Sequence, residues 1–273
     1  MLVGIYANTE RDVGLAFTRS LVAELGREGI GCAVHVSAGD MISGVRFFGD
    51  DCKPRPDVIV SLGGDGTILS SIAFAAPAGI PVMGVNLGGM GFLTTMTAEG
   101  DAVKKVVRML GRREYSVSER SMLSVDIDGK TYHALNEMVF YKRSLGKTVD
   151  VSVKVGDSHV ARYKADGFIV STPTGSTGWA LSSGGPIVAP EVPCLLLVPM
   201  SCHQLSARPV IAGDGEPVTV SGGEPGSVIA DGRVIGNNVN GMIVRKAEFT
   251  AKLVAHYGFD FYGRLTHKLG LAK

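Results

Sequence analysis

The chain is poor in the residues that announce several familiar chemistries. Its four cysteines, Cys32, Cys52, Cys194 and Cys202, form no C-x-x-C pair, and its six histidines include no H-E-x-x-H. A zinc finger and a zinc hydrolase therefore lack their usual sequence support, and any metal is expected to arrive with a substrate. Neither sign of charge dominates, since 27 Lys and Arg face 26 Asp and Glu for a net charge of +1. That balance argues against a broadly basic nucleic-acid surface and against an acidic solvating tail. The longest apolar stretches, such as 192–200, fall far short of the roughly 20 residues that cross a bilayer. Met1 runs directly into Leu2-Val3-Gly4-Ile5-Tyr6 with no basic n-region or A-x-A site, so no signal peptide is expected. The expectation is a cytoplasmic protein with neither membrane nor nucleic acid as partner. Also missing are G-x-x-x-x-G-K-[ST], G-x-G-x-x-G with its following acid, the protein-kinase signatures and G-x-S-x-G.

Glycine, by contrast, is abundant. There are 37 in 273 residues, roughly twice the average usage of about 7%. With 12 Pro, 45% hydrophobic residues and no Gly-X-Y period, neither collagen nor low complexity explains the excess. The length allows one large core or two modest ones.

The hydrophobic pattern changes character near residue 100. Residues 2–7, 30–36, 57–62 and 80–85 read as buried strands. Val13, Phe17, Leu21 and Leu25 recur at helical spacing before Gly29, and 67–75 reads as a second helix. Residues 1–98 are thus expected to form an α/β domain with a largely parallel sheet. After a charged helix over 101–110, short alternating segments follow. Asp128-Gly129 and Gly156-Asp157 mark hairpins, 131–141 reads as one strand, and 194–198, 218–220 and 227–230 read as others, with Asp231-Gly232 at a turn. Residues 99–246 are expected to form a β-rich, β-sandwich-like domain. The tail, 247–273, carries Phe249, Leu253, Val254, Phe259 and Leu265, enough to dock, and the α/β domain is its expected host.

The segment Val58-Ile59-Val60-Ser61-Leu62-Gly63-Gly64-Asp65-Gly66-Thr67 runs from an apolar strand through glycines and one carboxylate into a helix. Glycines permit close backbone approach, and the first N–H groups of a helix receive phosphate oxygens. A tight turn capped by Asp65 is the simpler reading of an isolated G-D-G. A second glycine loop, 84–92, follows the next strand, and successive parallel strands end at one crevice. Two polar clusters stand out in the β-rich half: Asn136-Glu137, and 166–186 with its Ser, Thr and Gly density around Trp179, the one tryptophan. A polar cradle with one stacking face is one reading of that stretch, and an ordinary loop is the other.

In this order the motifs resemble the NAD kinase family, which transfers a phosphoryl group to the 2′-hydroxyl on the adenosine ribose of NAD. The matching marks are Gly63-Gly64-Asp65-Gly66-Thr67, Asn86-Leu87-Gly88 with Gly91-Phe92, Asn136-Glu137, and Asp166 with 171–177. The resemblance implies Asp65 as the catalytic carboxylate, with Gly63, Gly64, Gly66, Thr67, Ser70 and Phe92 lining the donor side. It implies contacts to NAD from Asn136, Glu137, Asp166 and Asp231, and an adenine-side loop of Thr177, Gly178, Trp179, Ala180, Leu181 and Ser182. Lys147, Lys164 and Arg233 match positions of nucleotide-contacting polar groups, or are solvated surface cations. ATP or polyphosphate is the implied donor. Mg²⁺ is carried by its phosphates with no direct protein ligand, water to Asp65 being the nearest contact. Homodimers or homotetramers are implied as well. The chain departs from the family where Ser176-Thr177-Gly178-Trp179 replaces Ser-Thr-Ala-Tyr, where Gly89-Met90 replaces a larger polar residue, and at Ser70, where some relatives carry a basic one. A lipid or sphingoid kinase sharing the G-G-D-G-T loop, and a dinucleotide sensor without turnover, remain alternatives.

Overall fold

The computed structural model describes residues 1–144, 146–256 and 260–270, so Phe259 lies outside the described residues. The chain forms two compact units: residues 1–119 together with the segment from Ala251 onward, and Arg120–Thr250. The division falls at 119/120 and not at the expected 98/99. The reason is the helix Ala102–Arg112, whose Val106, Val107, Met109 and Leu110 join the core of the first unit and which packs on the helix Ala16–Arg27.

The first unit carries an eight-stranded sheet. In order across the sheet its strands are Arg46–Phe48, Gly31–His35, Leu2–Ala7, Val58–Gly63, Val82–Asn86, Ala251–Ala255 and Ser116–Arg120, with Met96–Thr97 also paired to Val82–Asn86. The pairings from Arg46–Phe48 to Ala251–Ala255 are parallel. Val58–Gly63 and Val82–Asn86 are buried at every residue, as expected of near-continuous apolar strands covered on both faces. The sheet grows outward in both directions from Leu2–Ala7, so the carboxyl ends of Leu2–Ala7 and Val58–Gly63 mark its topological switch point. Open α/β sheets bind ligands there. The C-terminal tail returns to this unit, with Leu253 opposite Val82 and Leu265 buried in the helix Phe261–Leu269.

The second unit is one ten-stranded sheet whose pairings are antiparallel. The two expected strands at 218–220 and 227–230 are a single one, Val218–Ala230, irregular between Ser221 and Gly226. On one side of that irregularity it pairs with Val149–Val155, and on the other with Glu137–Lys142. Residues from both arms, including Phe140, Val151, Phe168, Val220 and Val228, share one core. The sandwich-like layering thus comes from one bent sheet. Conversely, the single strand expected over 131–141 is two, Lys130–Ala134 and Glu137–Lys142, because the backbone at 135–137 leaves the ladder to bond Asp231. The Asp128-Gly129 turn has φ of 52° and 76°, the pair of left-handed residues that a two-residue hairpin requires.

All four cysteines are free, and no described helix is long and apolar enough to cross a membrane.

The bend depends on glycine at 222, where a Cβ would lie 2.3 Å from Phe140 Cζ and 2.7 Å from the Glu224 carbonyl oxygen. Gly222→Ala is expected to destabilise by about 1–3 kcal/mol, the cost of overpacking a filled core. Urea unfolding measures it, and Phe140→Leu in the same chain should recover part of the loss. An unchanged midpoint would mean that the ring has room to move.

Candidate active site

In the first unit, three loops meet at the switch point. The strand Val58–Gly63 ends at Gly64, which caps the helix Asp65–Ala75. Thr67 and Ile68 N–H both return to the Gly64 carbonyl, whereas the N–H groups of Asp65 and Gly66 have no acceptor among the described residues. They are the orphan donors of a helix start, aligned with its positive dipole end. Asp65 sits in the first turn, and its carboxylate accepts from Phe92 N–H at 2.8 Å and Leu93 N–H at 3.1 Å. The second glycine loop is thereby tied to the first, and Leu87 N–H adds a bond to the Gly63 carbonyl at 3.1 Å. Asn86 shapes that loop by accepting from Gly88 N–H at 3.0 Å. Gly91 has no substitute here, since a Cβ on it would lie 2.0 Å from Asp65 Oδ1. The third loop follows Leu2–Ala7: Asn8 N–H donates to Leu62 O at 2.9 Å, and Asn8 Nδ2 to Thr67 Oγ1 at 3.3 Å.

Arg264, on the C-terminal helix, completes the arrangement. Its Nη1 donates to the carbonyls of Thr94, Phe92 and Gly91 at 2.5, 3.1 and 3.4 Å. Burial lowers its pKa and the Asp65 carboxylate opposes that shift, so the guanidinium stays charged. The cation therefore holds the carbonyl side of the same loop whose N–H groups hold Asp65. Lys268 lies 5.3 Å from the Phe92 ring centroid on the same helix.

In the second unit, Asp231 accepts from the N–H groups of Leu135, Asn136 and Glu137 at 2.7, 2.8 and 3.2 Å. This fixes the turn that carries the Asn136 and Glu137 side chains. Glu137 is buried, and its Oε2 has no partner among the described residues. Burial first, and the Asp231 charge second, push its pKa up to about 8. Burial also raises Asp231, against the three N–H groups that favour its ionised form. A Cβ on Gly178 would lie 2.9 Å from Glu137 Oε2 and 3.7 Å from Asn136 Nδ2, so the 177–179 backbone closes over that pair. Beside it, Trp179 is 42% exposed and lines an open cavity of 380 Å³ with Tyr141, Ser182, Ser183, Met200 and Ile229. The result is a buried carboxyl with an open oxygen, next to an aromatic wall.

Comparison with known sequences matches residues 22–115 to the ATP-NAD kinase N-terminal domain and residues 135–255 to the ATP-NAD kinase C-terminal domain. The NAD kinase of Symbiobacterium thermophilum is 42% identical over 78% of this chain and 78% of its own. The chain belongs to the ATP-NAD kinase family. The NAD kinase of Heliobacterium modesticaldum is 37% identical over 96% of this chain and 89% of its own. Among solved structures, an Archaeoglobus fulgidus NAD kinase in complex with ATP shares 26% identity at a TM-score of 0.77, over 99% of this chain and 98% of its own. Yeast NADH kinase complexed with NADH shares 22% identity and the fold, at a TM-score of 0.89 over 100% of this chain and 88% of its own.

Within this ATP-NAD kinase chain the anticipated residues form two groups. Gly63, Gly64, Asp65, Gly66, Thr67 and Phe92 converge in the first unit, and Ser70 lies one turn on, its Oγ returned to the Gly66 carbonyl at 3.1 Å. Asn136, Glu137, Asp231, Gly178 and Trp179 converge in the second, with Ala180 buried beneath and Thr177, Leu181 and Ser182 flanking. Asp166 is elsewhere. It pairs with Lys142 Nζ at 2.5 Å, at the far end of the strand pair in which Glu137 faces Ser171. It lies five positions along the strand from Ser171, roughly 17 Å. Lys147, Lys164 and Arg233 are exposed, and the Lys147 carbonyl accepts from Lys142. Sequence reasoning overlooked Asn8, Arg11 and Arg264. The first two lie in the loop that follows the first strand, where the switch-point rule would have found them; Arg264 carries no local signal.

Arg264→Met is expected to loosen residues 91–94 without unfolding the sheet. Amide exchange should speed up at Phe92 and Leu93 and stay slow along Val58–Gly63. Equal exchange in both chains would remove the clamp.

Glu137 supplies a pH signature. Its folded pKa lies above the ordinary glutamate value, so between about pH 5 and 8 the folded state holds more protons than the unfolded one. Its stabilising contribution is complete at low pH and is lost as pH rises through about 8. Thermal melts of the wild type and Glu137→Gln should therefore diverge with rising pH, the wild type declining more. Parallel profiles would place an ordinary carboxylate there.

Proposed function

We propose that the protein is an NAD kinase, moving a phosphoryl group from ATP or polyphosphate to the 2′-hydroxyl of the adenosine ribose of NAD and so giving NADP. The observation that carries the reading is Asp65, fixed at a helix start by Phe92 and Leu93 N–H in a chain of the ATP-NAD kinase family. Phosphoryl transfer asks chiefly for in-line positioning and stabilised oxygen charge. Asp65 accepts or orients the 2′-hydroxyl proton, using lone pairs that its two N–H bonds leave free. The N–H groups of Asp65 and Gly66 receive donor phosphate oxygens.

Glu137 and Asn136 take ribose hydroxyls, the buried Oε2 having no other partner among the described residues. Asp231 acts through them by holding their backbone, and Trp179 offers a flat face to the dinucleotide. Asp166, Lys147, Lys164 and Arg233 complete the polar surround in this reading.

Among the described residues no group of three or more His, Cys, Asp or Glu gathers as a metal cage. The residues present fit Mg²⁺ brought by the donor phosphates: Asp65, whose oxygens each accept one N–H bond and keep free lone pairs, would hold it through water. When bound, the ion neutralises charge on the phosphate oxygens. A cytoplasmic location and a homodimeric or homotetrameric state, as the family resemblance implies, complete the proposal.

The test is purified protein with Mg²⁺-ATP and NAD, and polyphosphate in a parallel arm, followed by NADP formation. Asp65→Asn should lower kcat by about 10²–10⁴-fold while NAD still binds. NAD binding without product in the wild type would make the protein a sensor. Wild-type turnover in the variant would remove Asp65 from the chemistry.

A further inference from the structure

We propose that Arg11 is a ligand of the donor's phosphate chain, acting with the free N–H groups of Asp65 and Gly66. The inference rests on the kinase reading above and extends its donor site to a residue outside the glycine motifs.

Arg11 lies in the loop that follows Leu2–Ala7, and that loop is anchored. Arg11 N–H donates to Asn8 O at 3.2 Å and to Asn8 Oδ1 at 3.0 Å, and Asn8 is in turn bonded to Leu62 and Thr67. The guanidinium is delivered over both glycine loops. A Cβ on Gly64 would lie 2.8 Å from Arg11 Nη1 and 3.3 Å from Cζ, and one on Gly88 would lie 3.9 Å from the same Nη1. The cation therefore packs against bare backbone at the helix start.

Charge balance then points to an anion. The Arg11 side chain is exposed and has no hydrogen bond or ion pair among the described residues. The nearby N–H groups of Asp65 and Gly66 also lack acceptors, and the Asp65 carboxylate, which keeps lone pairs for the acceptor hydroxyl, is tied to the second glycine loop by Phe92 and Leu93 N–H. The Arg11 guanidinium and the two free N–H groups of the helix start thus offer donors that no described residue satisfies. Two negatively charged oxygens on a phosphate satisfy that set, and the planar fork of arginine matches them in a bidentate manner.

The motif itself offers no other cation. The loop has no Walker lysine, and Ser70, at a position where the family resemblance gives some relatives a basic residue, turns its hydroxyl to the Gly66 carbonyl. Arg11 supplies from the first strand's loop the positive charge that the G-G-D-G-T segment lacks.

The chemistry recognised is a chain of phosphates, shared by ATP and inorganic tripolyphosphate, and the nucleoside takes no part in it. Calorimetric titration with each, in the presence of magnesium and without NAD, tests the assignment on wild type, Arg11→Gln and Arg11→Lys. Arg11→Gln should weaken both ligands by about tenfold or more and leave NAD affinity unchanged. Arg11→Lys should recover part of the loss, because it restores the charge without the fork. Melting temperatures should match, since the side chain is exposed.

Equal affinities in wild type and Arg11→Gln would overturn the proposal. So would a loss for ATP alone, which would set Arg11 against the nucleoside. If the wild type binds neither ligand, the kinase reading fails first, and the proposal with it.

Discussion

The carboxylate of Asp65 is the constraint on which the first unit's site depends. It is held from one side by its place in the first turn of a helix and from the other by two N–H groups of a loop 27 and 28 residues further on. Neither loop could hold it alone. A carboxylate at a helix start is already favoured by the dipole, by roughly 0.3–1 kcal/mol at exposed positions. Charge-assisted bonds to Phe92 and Leu93 then fix its rotamer. The missing Cβ of Gly91 lets the second loop come that close, and Arg264 neutralises the carbonyls that the same loop turns the other way. Catalysis by electrostatics requires groups that do not reorganise as charge moves, and such cross-bracing restricts movement.

The second unit meets the opposite problem. Glu137 is buried beside Asp231, an arrangement that disfavours two charges and raises the Glu137 pKa to about 8. An unpartnered buried carboxyl oxygen costs stability, on the order of 1–3 kcal/mol for a neutral group. Nothing in the sheet needs that expense. The bent strand Val218–Ala230, the Asp231 turn and the 177–179 backbone together keep the group in place all the same. Locally destabilised groups concentrate at binding sites, where a ligand supplies the missing partner. In the proposed function that missing partner is a sugar hydroxyl, beside Trp179 and its cavity.

Much of this was legible in the sequence, for reasons that also mark where legibility stops. Val58–Gly63 and Val82–Asn86 announced themselves as unbroken apolar runs, and the glycines at their ends marked two loops at one sheet edge. The helix 101–110 was equally plain, yet its allegiance was not, because an amphipathic stripe does not say which core receives it. Strand boundaries failed where side chains compete with the ladder. Asp231 captures three amides that the alternation assigns to a sheet, and no pattern in 131–141 records an acceptor that lies a hundred residues later. Arg264 is invisible for the same reason, since its value comes from returning 170 residues to Thr94. Asp166 was grouped with Glu137 by family likeness, and strand register places the two at opposite ends of one pair.

The glycine excess gains a physical meaning from these positions. At 64 and 91, side chains belonging to other elements occupy the space that a Cβ would need: the Arg11 guanidinium at one and the Asp65 carboxylate at the other. Glycine there makes room for a charged group to touch backbone, which a loop built for flexibility would not require. Charged groups against bare backbone are strongly coupled to the peptide dipoles, and a ligand entering such a site meets fields already in place. In the proposed donor site, a phosphate chain is received with few charged residues in the motif itself. The cations arrive from distant segments, from the loop of the first strand and from the last helix, onto a scaffold of amides. The near-neutral balance of the whole chain is then no obstacle to binding a polyanion, because what recognises it is local and largely carried by the main chain.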